Sequence, residues 1–412
     1  MLAGANLTQR ESDNAPRLKA GGARTVIIDT PPDSARDLSL FSKFVLMTYF
    51  ASCFLVALLA TLFIMRSSMR HGHLSADHDL SGPQKFHSRP VPRVGGLGVM
   101  IAIVVGVGVA QVRGSPAAPS LWLLLTCSLP AFAAGITEDI TKNVSPRRRL
   151  FAAVASAALA IWLLDAVITK TDIPGVDQLI RWAPLSMLLT VFVITGLANA
   201  VNIIDGFNGL ASMCVLMMIL ALAYVAFQVG DTFIFTAALI AAGAVLGFFV
   251  WNFPAGLIFL GDGGAYLLGF LLGELSILLI HRNPTVSPIF PLLLCAYPIF
   301  ETIFTMYRRK VVRGVATAAP DGIHLHTLIH RRLVRWTLAA NLERRRLTRR
   351  NSMTSPYLWL LCLTSVIPSV LWWNSTAVLS WFLLAFVIAY IWLYARIVRF
   401  KTPRWMIFRR TR

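Results

Sequence analysis

The chain has 412 residues, of which 56% are hydrophobic and only 14% charged, with a mean hydropathy of +0.67. This balance excludes a soluble fold. Lys and Arg number 38 against 19 Asp and Glu, and the formal net charge of +19 fits a polytopic membrane protein whose loops face an anionic leaflet better than a nucleic-acid-binding protein.

Residues 1–40 mix charges with Pro31-Pro32 and contain no apolar run long enough to span a bilayer. They read as a mostly disordered tail. The first long apolar segment begins near Phe44 and has no small-residue cleavage pattern after it, so it is expected to remain as a span and not act as a secretory signal. A hydrocarbon core needs about 20 apolar helical residues per crossing. On that measure the sequence predicts about eleven transmembrane helices, near 44–65, 95–112, 119–138, 150–169, 183–203, 209–228, 232–253, 256–280, 288–306, 357–373 and 376–399. Runs such as 211–227 lack the alternation of a barrel strand, so the fold class is an all-α integral membrane bundle. The membrane-embedded body occupies 41–400, its largest loop is 307–356, and 401–412 is a basic tail. Cys53, Cys127, Cys214, Cys295 and Cys362 all fall in apolar runs without CxxC pairs, which points to packing and away from a disulfide framework or zinc.

Of the 38 basic residues, 28 fall in 66–94, 139–149, 307–356 and the segment from Arg396 onward. The positive-inside rule makes that side cytoplasmic, with the C-terminus inside and the N-terminus outside. The second half of the 307–356 loop mixes arginine with Leu, Val and Trp as an interfacial amphipathic helix would. Lipid contact is the favoured reading of that segment, and anionic substrate the alternative.

Unusual polar residues gather on the same side. Pro90 to Gly96 open the second span, Glu138-Asp139 close the third, and Asn199, Asn202 and Asp205 end the fifth. Asp262, in Gly261-Asp262-Gly263-Gly264, is expected six residues into the eighth span, about 9 Å deep. His324 and His326 follow the ninth. An ionisable residue inside a span is costly and usually functional, although Asp262 also suits a buried helix N-terminus. Asp262, Asn202, Asp205 and Glu138-Asp139 offer hard oxygen ligands without sulfur, which suits Mg²⁺, with Mn²⁺ as the alternative, and Mg²⁺ suggests phosphate. Arg93 can pair with a phosphate oxygen, and Gly95-Gly96 permit close backbone approach. Lys142 and Arg147–Arg149 fit the positive-inside signal better than a phosphate site. His324 and His326, at i and i+2, are not expected to share a helical face.

Five segments carry a resemblance: HSRPVPRVGG at 87–96, GITED at 135–139, NAVNIIDGFNGL at 199–210, PA at 254–255 with FLGDGG at 259–264, and PDGIHLH at 320–326. Together they resemble the polyprenyl-phosphate N-acetylaminosugar-1-phosphate transferases, over roughly 70–400. The form of the first segment is more similar to the branch that initiates O-antigen and enterobacterial common antigen than to the peptidoglycan branch.

The resemblance implies a bacterial inner-membrane enzyme whose active site faces the cytoplasm. It implies transfer of an N-acetylated sugar 1-phosphate from a UDP-sugar to undecaprenyl phosphate, with release of UMP. Asp262 is then the Mg²⁺ ligand with Asn202 beside it, and Asp205 a ligand or its partner. Asp139, with Glu138, lies near the acceptor phosphate as general base or orienting group. Arg93, Gly95, Gly96, Asn199, Asn208, His324 and His326 belong to substrate binding, and direct attack of the lipid phosphate is preferred to a phospho-enzyme. The family permits a homodimer. The sequence departs from the family pattern at Glu138 for aspartate, Asn208 for the second aspartate, Ala265 for serine and Thr327 for histidine. These departures keep open a catalytically impaired scaffold of glycan assembly. A lipid or glycan transporter is the other alternative, weakened because no second GDGG or NxxNxxDG pattern occurs.

Overall fold

The computed structural model describes residues 40–70, 91–312, 314, 324–334 and 344–399. The expected N-terminal tail, apart from residue 40, lies outside these residues, as do the C-terminal tail, His87 to Pro90 and Asp321. The described residues form helices α1 (Leu40–Arg70), α2 (Gly95–Val112), α3 (Ala118–Thr141), α4 (Pro146–Leu164), α5 (Val176–Leu179), α6 (Ala183–Ile204), α7 (Leu210–Val229), α8 (Thr232–Asn252), α9 (Gly261–Arg282), α10 (Ile289–Leu294), α11 (Ala296–Tyr307), α12 (Leu325–Ile329), α13 (Arg344–Leu371) and α14 (Thr376–Val398). Short π-helical turns, Arg308–Val312 and His330–Val334, extend α11 and α12. The protein is an all-α polytopic membrane protein. Among the described residues nine helices are long and apolar enough to cross a membrane.

Of the eleven expected spans, two take a different form. The fourth is α4, which begins four residues earlier than its apolar run and so carries Arg147, Arg148 and Arg149 in its first turn, after Pro146 at the first helical position and a Ser145 cap. The ninth is broken into α10 and α11 around Cys295. Pro298 explains the break: it has no N–H for the Leu294 carbonyl, and its ring crowds that carbonyl.

The expected start of the eighth span at 256 is also corrected. Residues 255–260 are not helical. Their backbone runs beside 92–96, with Phe259 N–H donating to the Pro92 carbonyl (2.9 Å), Gly95 N–H to Phe259 (2.9 Å) and Gly96 N–H to Leu260 (2.8 Å). The helix therefore starts at Gly261, and Asp262 is its second residue instead of lying a turn and a half inside it.

Helix α9 is the centre of the packing. It is buried along nearly its whole length and contacts α3, α6, α2 and α7. Without a hydrophobic drive between helices in lipid, close approach through small residues does the work. Gly269 lies on Ala198 of α6, and Gly135 of α3 lies on the backbone of Asp262 and Gly263. On the other side, Gly243 and Gly247 of α8 meet the Phe50 and Phe54 carbonyls of α1. Helices α11 and α14 are joined by aromatic edges, Phe304 meeting Tyr394 at 4.7 Å and Tyr390 at 5.7 Å between ring centroids.

Candidate active site

The first turn of α9 is held by acids from two other helices. Asp139, buried near the end of α3, accepts from Asp262 N–H through Oδ1 (2.9 Å) and from Gly263 N–H through Oδ2 (2.8 Å). Asp205, at the C-terminal cap of α6, accepts from the backbone of Gly261. Free N–H groups at a helix start favour negative charge, so this end of α9 draws both carboxylates to it. Gly261 has φ of 75°, and a Cβ there would strike the Arg93 carbonyl and lie 2.6 Å from Asp139 Oδ2. Only glycine lets α9, the Arg93 backbone and the end of α3 meet at this point. Burial pushes the Asp205 carboxyl up to about 6, with the Arg93 guanidinium pulling the other way.

Cations complete the cluster. Arg149, from the first turn of α4, makes an ion pair with Asp262 and lies 5.9 Å from the centre of the Tyr266 ring. The Tyr266 hydroxyl in turn reaches Asn199 Oδ1 (3.5 Å) and Asn202. Arg93 and Lys142 lie close enough to act electrostatically on Asp139. Elements far apart in sequence thus bring Arg93, Asp139, Asn199, Asn202, Asp205 and Asp262 to one place. Gly95 and Gly96 serve the approach of α2: Gly96 lies on the backbone of Gly264, and Gly95 lies under Phe248 and the Phe259 carbonyl.

Two expected site residues are engaged with backbone. Glu138 Oε2 accepts from Val144 N–H (2.7 Å), closing the turn between α3 and α4. Asn208 is fully buried. Its N–H donates to Asn351 Oδ1 (2.8 Å), its amide nitrogen reaches Ser352 Oγ (3.1 Å) and the Pro254 carbonyl (3.3 Å), and its carbonyl accepts from Ser355 Oγ (2.6 Å).

The histidines approach over the 205–207 turn. His326 packs edge-on against Phe207, with ring centroids 5.5 Å apart, and its Nε2 passes close to Gly206. The two histidines do not share a helical face, yet their rings stack at 4.9 Å and 12°. His324 is the extended residue before α12, with φ −61° and ψ 153°, so helical spacing does not govern the pair.

Several residues of this region carry little signal in the sequence. Glu301 of α11 is fully buried, faces His324 Nδ1 at 3.2 Å, and accepts from Leu325 N–H and the Tyr390 hydroxyl. Its signal was an ionisable residue inside an apolar run. Arg149 looked like one basic residue in a topogenic cluster, and only the fold pairs it with Asp262. Asn351, Ser352 and Ser355 of α13 had no sequence signal.

The oxygen donors Asp205, Asp262 and Asn202 fit Mg²⁺. Among the described residues no three His, Cys, Asp or Glu side chains converge as a cage. Mg²⁺ commonly uses one or two carboxylates and completes its shell with water and substrate phosphate. Asp262 is already neutralised by a cationic side chain, which shows that this corner of the site suits positive charge.

The family model described as "Glycosyl transferase family 4" matches residues 121–280, the stretch that contains Asp139, Asn202, Asp205 and Asp262. A probable undecaprenyl-phosphate N-acetylglucosaminyl 1-phosphate transferase of Bacillus subtilis is 28% identical over 66% of this chain and 75% of its own length. A decaprenyl-phosphate N-acetylglucosaminephosphotransferase of Mycolicibacterium smegmatis is 30% identical over 58% and 65%. A phospho-N-acetylmuramoyl-pentapeptide-transferase of Staphylococcus carnosus is 29% identical over 51% and 68%. The chain is similar to polyprenyl-phosphate N-acetylaminosugar-1-phosphate transferases, and the glycosyl transferase family 4 match covers its central 121–280.

Proposed function

We propose that the protein transfers an N-acetylated sugar 1-phosphate from a UDP-sugar to undecaprenyl phosphate, releasing UMP and starting a lipid-linked surface glycan of the O-antigen type. The observation that carries this is the gathering of Asp139, Asp205 and Asp262 at the start of α9 with Arg93 and Arg149 among them. Both reactants are anions, so the site must cancel charge before they can meet. Mg²⁺, when bound, supplies charge neutralisation at the diphosphate.

The chain's own residues do the rest. Asp262 and Asp205, with Asn202, hold the cation. Arg93 and Arg149 bind phosphate oxygens, Arg149 by exchanging its carboxylate partner for a substrate phosphate. Asp139 fixes the position of Asp262 by gripping its N–H, so its contribution is orientation, and Glu138 fixes the turn that delivers Arg149. His324 and His326 hold the sugar-phosphate portion of the donor from above the 205–207 turn. The lipid phosphate attacks directly. The site faces the cytoplasm of a bacterial inner membrane, and the family's homodimer is the assembly to look for.

The test is UMP release by purified protein with undecaprenyl phosphate, Mg²⁺ and a panel of UDP-N-acetylated sugars. Release with one donor, lost in Asp262→Asn and on chelation, is the expected result. Silence across the panel from folded protein would sink the transferase reading and favour a scaffold.

A further inference from the structure

Glu301 sits on α11, 23 residues before His324, and is fully buried. One of its oxygens, Oε1, faces His324 Nδ1 at 3.2 Å and the Leu325 N–H at 2.9 Å, while Oε2 accepts the Tyr390 hydroxyl at 2.9 Å. Thr305 Oγ1 lies 3.2 Å from the same His324 nitrogen. Tyr390 is itself fully buried, and Leu325 likewise. A charged group held this deep beside a substrate-binding segment needs a reason, because its burial is expensive.

From this arrangement we infer that Glu301 is a positioning residue for the donor site, fixing His324 with its proton on Nδ1 and leaving Nε2 for the nucleotide-sugar. A carboxylate with donors on both oxygens is an acceptor, so the His324 nitrogen facing it must bring a hydrogen. The opposite tautomer would set a ring lone pair against the carboxylate at 3.2 Å. Thr305 tolerates either arrangement, since a hydroxyl donates or accepts, and therefore Glu301 decides. The same oxygen also grips the Leu325 N–H, so one carboxylate fixes both the ring and the backbone from which it springs. Because His324 stacks on His326, and His326 lies beside Phe207 and Gly206, the setting passes to the pair as a unit. Tyr390 brings α14 into the arrangement, which ties the last helix of the bundle to the donor site. A carboxylate or carbonyl that fixes the tautomer and ring plane of a working imidazole is the general device.

The inference rests on the transferase reading above, so its test has one arm that does not depend on activity. In ¹⁵N-histidine spectra of the full-length protein, with the His324 signals assigned by their loss in His324→Gln, wild-type His324 should carry a proton on Nδ1. Glu301→Gln, whose amide can donate as well as accept, should lose that preference. A wild-type His324 with bare Nδ1 overturns the inference whether or not the variant folds and whether or not any donor is turned over. In UMP-release kinetics, Glu301→Gln should raise the donor KM about ten-fold or more, the scale seen when the partner of a working histidine is removed. KM for undecaprenyl phosphate should stay within about two-fold, since uniform loss of donor binding leaves the acceptor untouched. Tyr390→Phe, which keeps the carboxylate and removes one of its donors, should show a smaller rise in donor KM. Unchanged donor KM in folded Glu301→Gln, or equal damage to both substrates, overturns the inference. A wild-type protein inactive toward every donor would instead count against the transferase reading, with the spectra still deciding the role of Glu301.

Discussion

Asp139 has both carboxylate oxygens committed to backbone N–H groups of α9, so an isosteric change has a definite cost. In Asp139→Asn one acceptor becomes an amide that faces a donor, and a buried N–H left unpaired costs about 1–3 kcal/mol. The expected outcome is a lower apparent Tm in detergent together with loss of UMP release, because Asp262 rides on the same turn. A variant that loses turnover at wild-type Tm would show that Asp139 acts on substrate and not through α9. Asp205 gives a pH prediction. Its carboxyl stands at about 6 against an ordinary value near 3.8, so in the folded protein it is protonated through that window and ionised above it. Cation binding needs the ionised form. The Mg²⁺ concentration for half-maximal UMP release should therefore rise as pH falls below 6, by up to about ten-fold per unit. A metal requirement flat from pH 7 to pH 5 would remove Asp205 from the cation site. At this scale the sequence showed which residue types gather, since acids at the ends of spans stand out against apolar runs. It did not show what each touches. That Asn208 locks onto α13 and that Arg149 meets Asp262 depend on approaches between segments that no local pattern encodes.

Helix α9 shows how an element carries the site. Gly135 of α3 lies directly on the Asp262 carbonyl and on Gly263, so Gly135→Ala must push the start of α9 away from Asp139 and Asp205. Overpacking of this kind costs about 1–3 kcal/mol, and here the displaced backbone bears the site, so turnover should fall with stability. Gly247→Ala on α8 meets the Phe54 carbonyl and Ala57 of α1, a contact that includes none of the site acids. It should lower the apparent Tm by a comparable amount while the folded fraction keeps its kcat. Equal kcat in both variants would break the link between the α3–α9 contact and the chemistry. Helix positions were legible because a run of about 20 apolar residues has few other uses. Their ends and interruptions were less so. Residues 256–260 are apolar and read as span, yet Gly256 and Leu257 bond back to α8 while Phe259 and Leu260 bond to 92–96, and the apolar run through 289–306 hides a break that Pro298 imposes. Hydropathy reports the solvent around a segment, whereas backbone hydrogen bonding decides where a helix begins.

For the whole molecule, the remaining question is which way the α9 start faces. The excess of Lys and Arg flanking this end is the basis for proposing that it faces the cytoplasm, where a nucleotide-sugar donor would be met. The chain offers a clean test, because all five cysteines are free and buried, which leaves a low background for a thiol reagent. Asn143 is exposed in the turn between α3 and α4, beside the site, and Gln178 is exposed on the short helix α5 that follows α4. If α4 crosses the membrane despite Arg147–Arg149 in its first turn, these two positions lie on opposite sides. The arginines at its start then lie at the cytoplasmic boundary, where long cationic side chains reach the headgroups. A membrane-impermeant maleimide applied to spheroplasts should label Gln178→Cys and spare Asn143→Cys until the membrane is opened. The reverse pattern would turn the site outward and separate it from a cytoplasmic nucleotide pool. Labelling of both from outside would mean that α4 does not cross, and the alternation of every later helix would have to be redrawn.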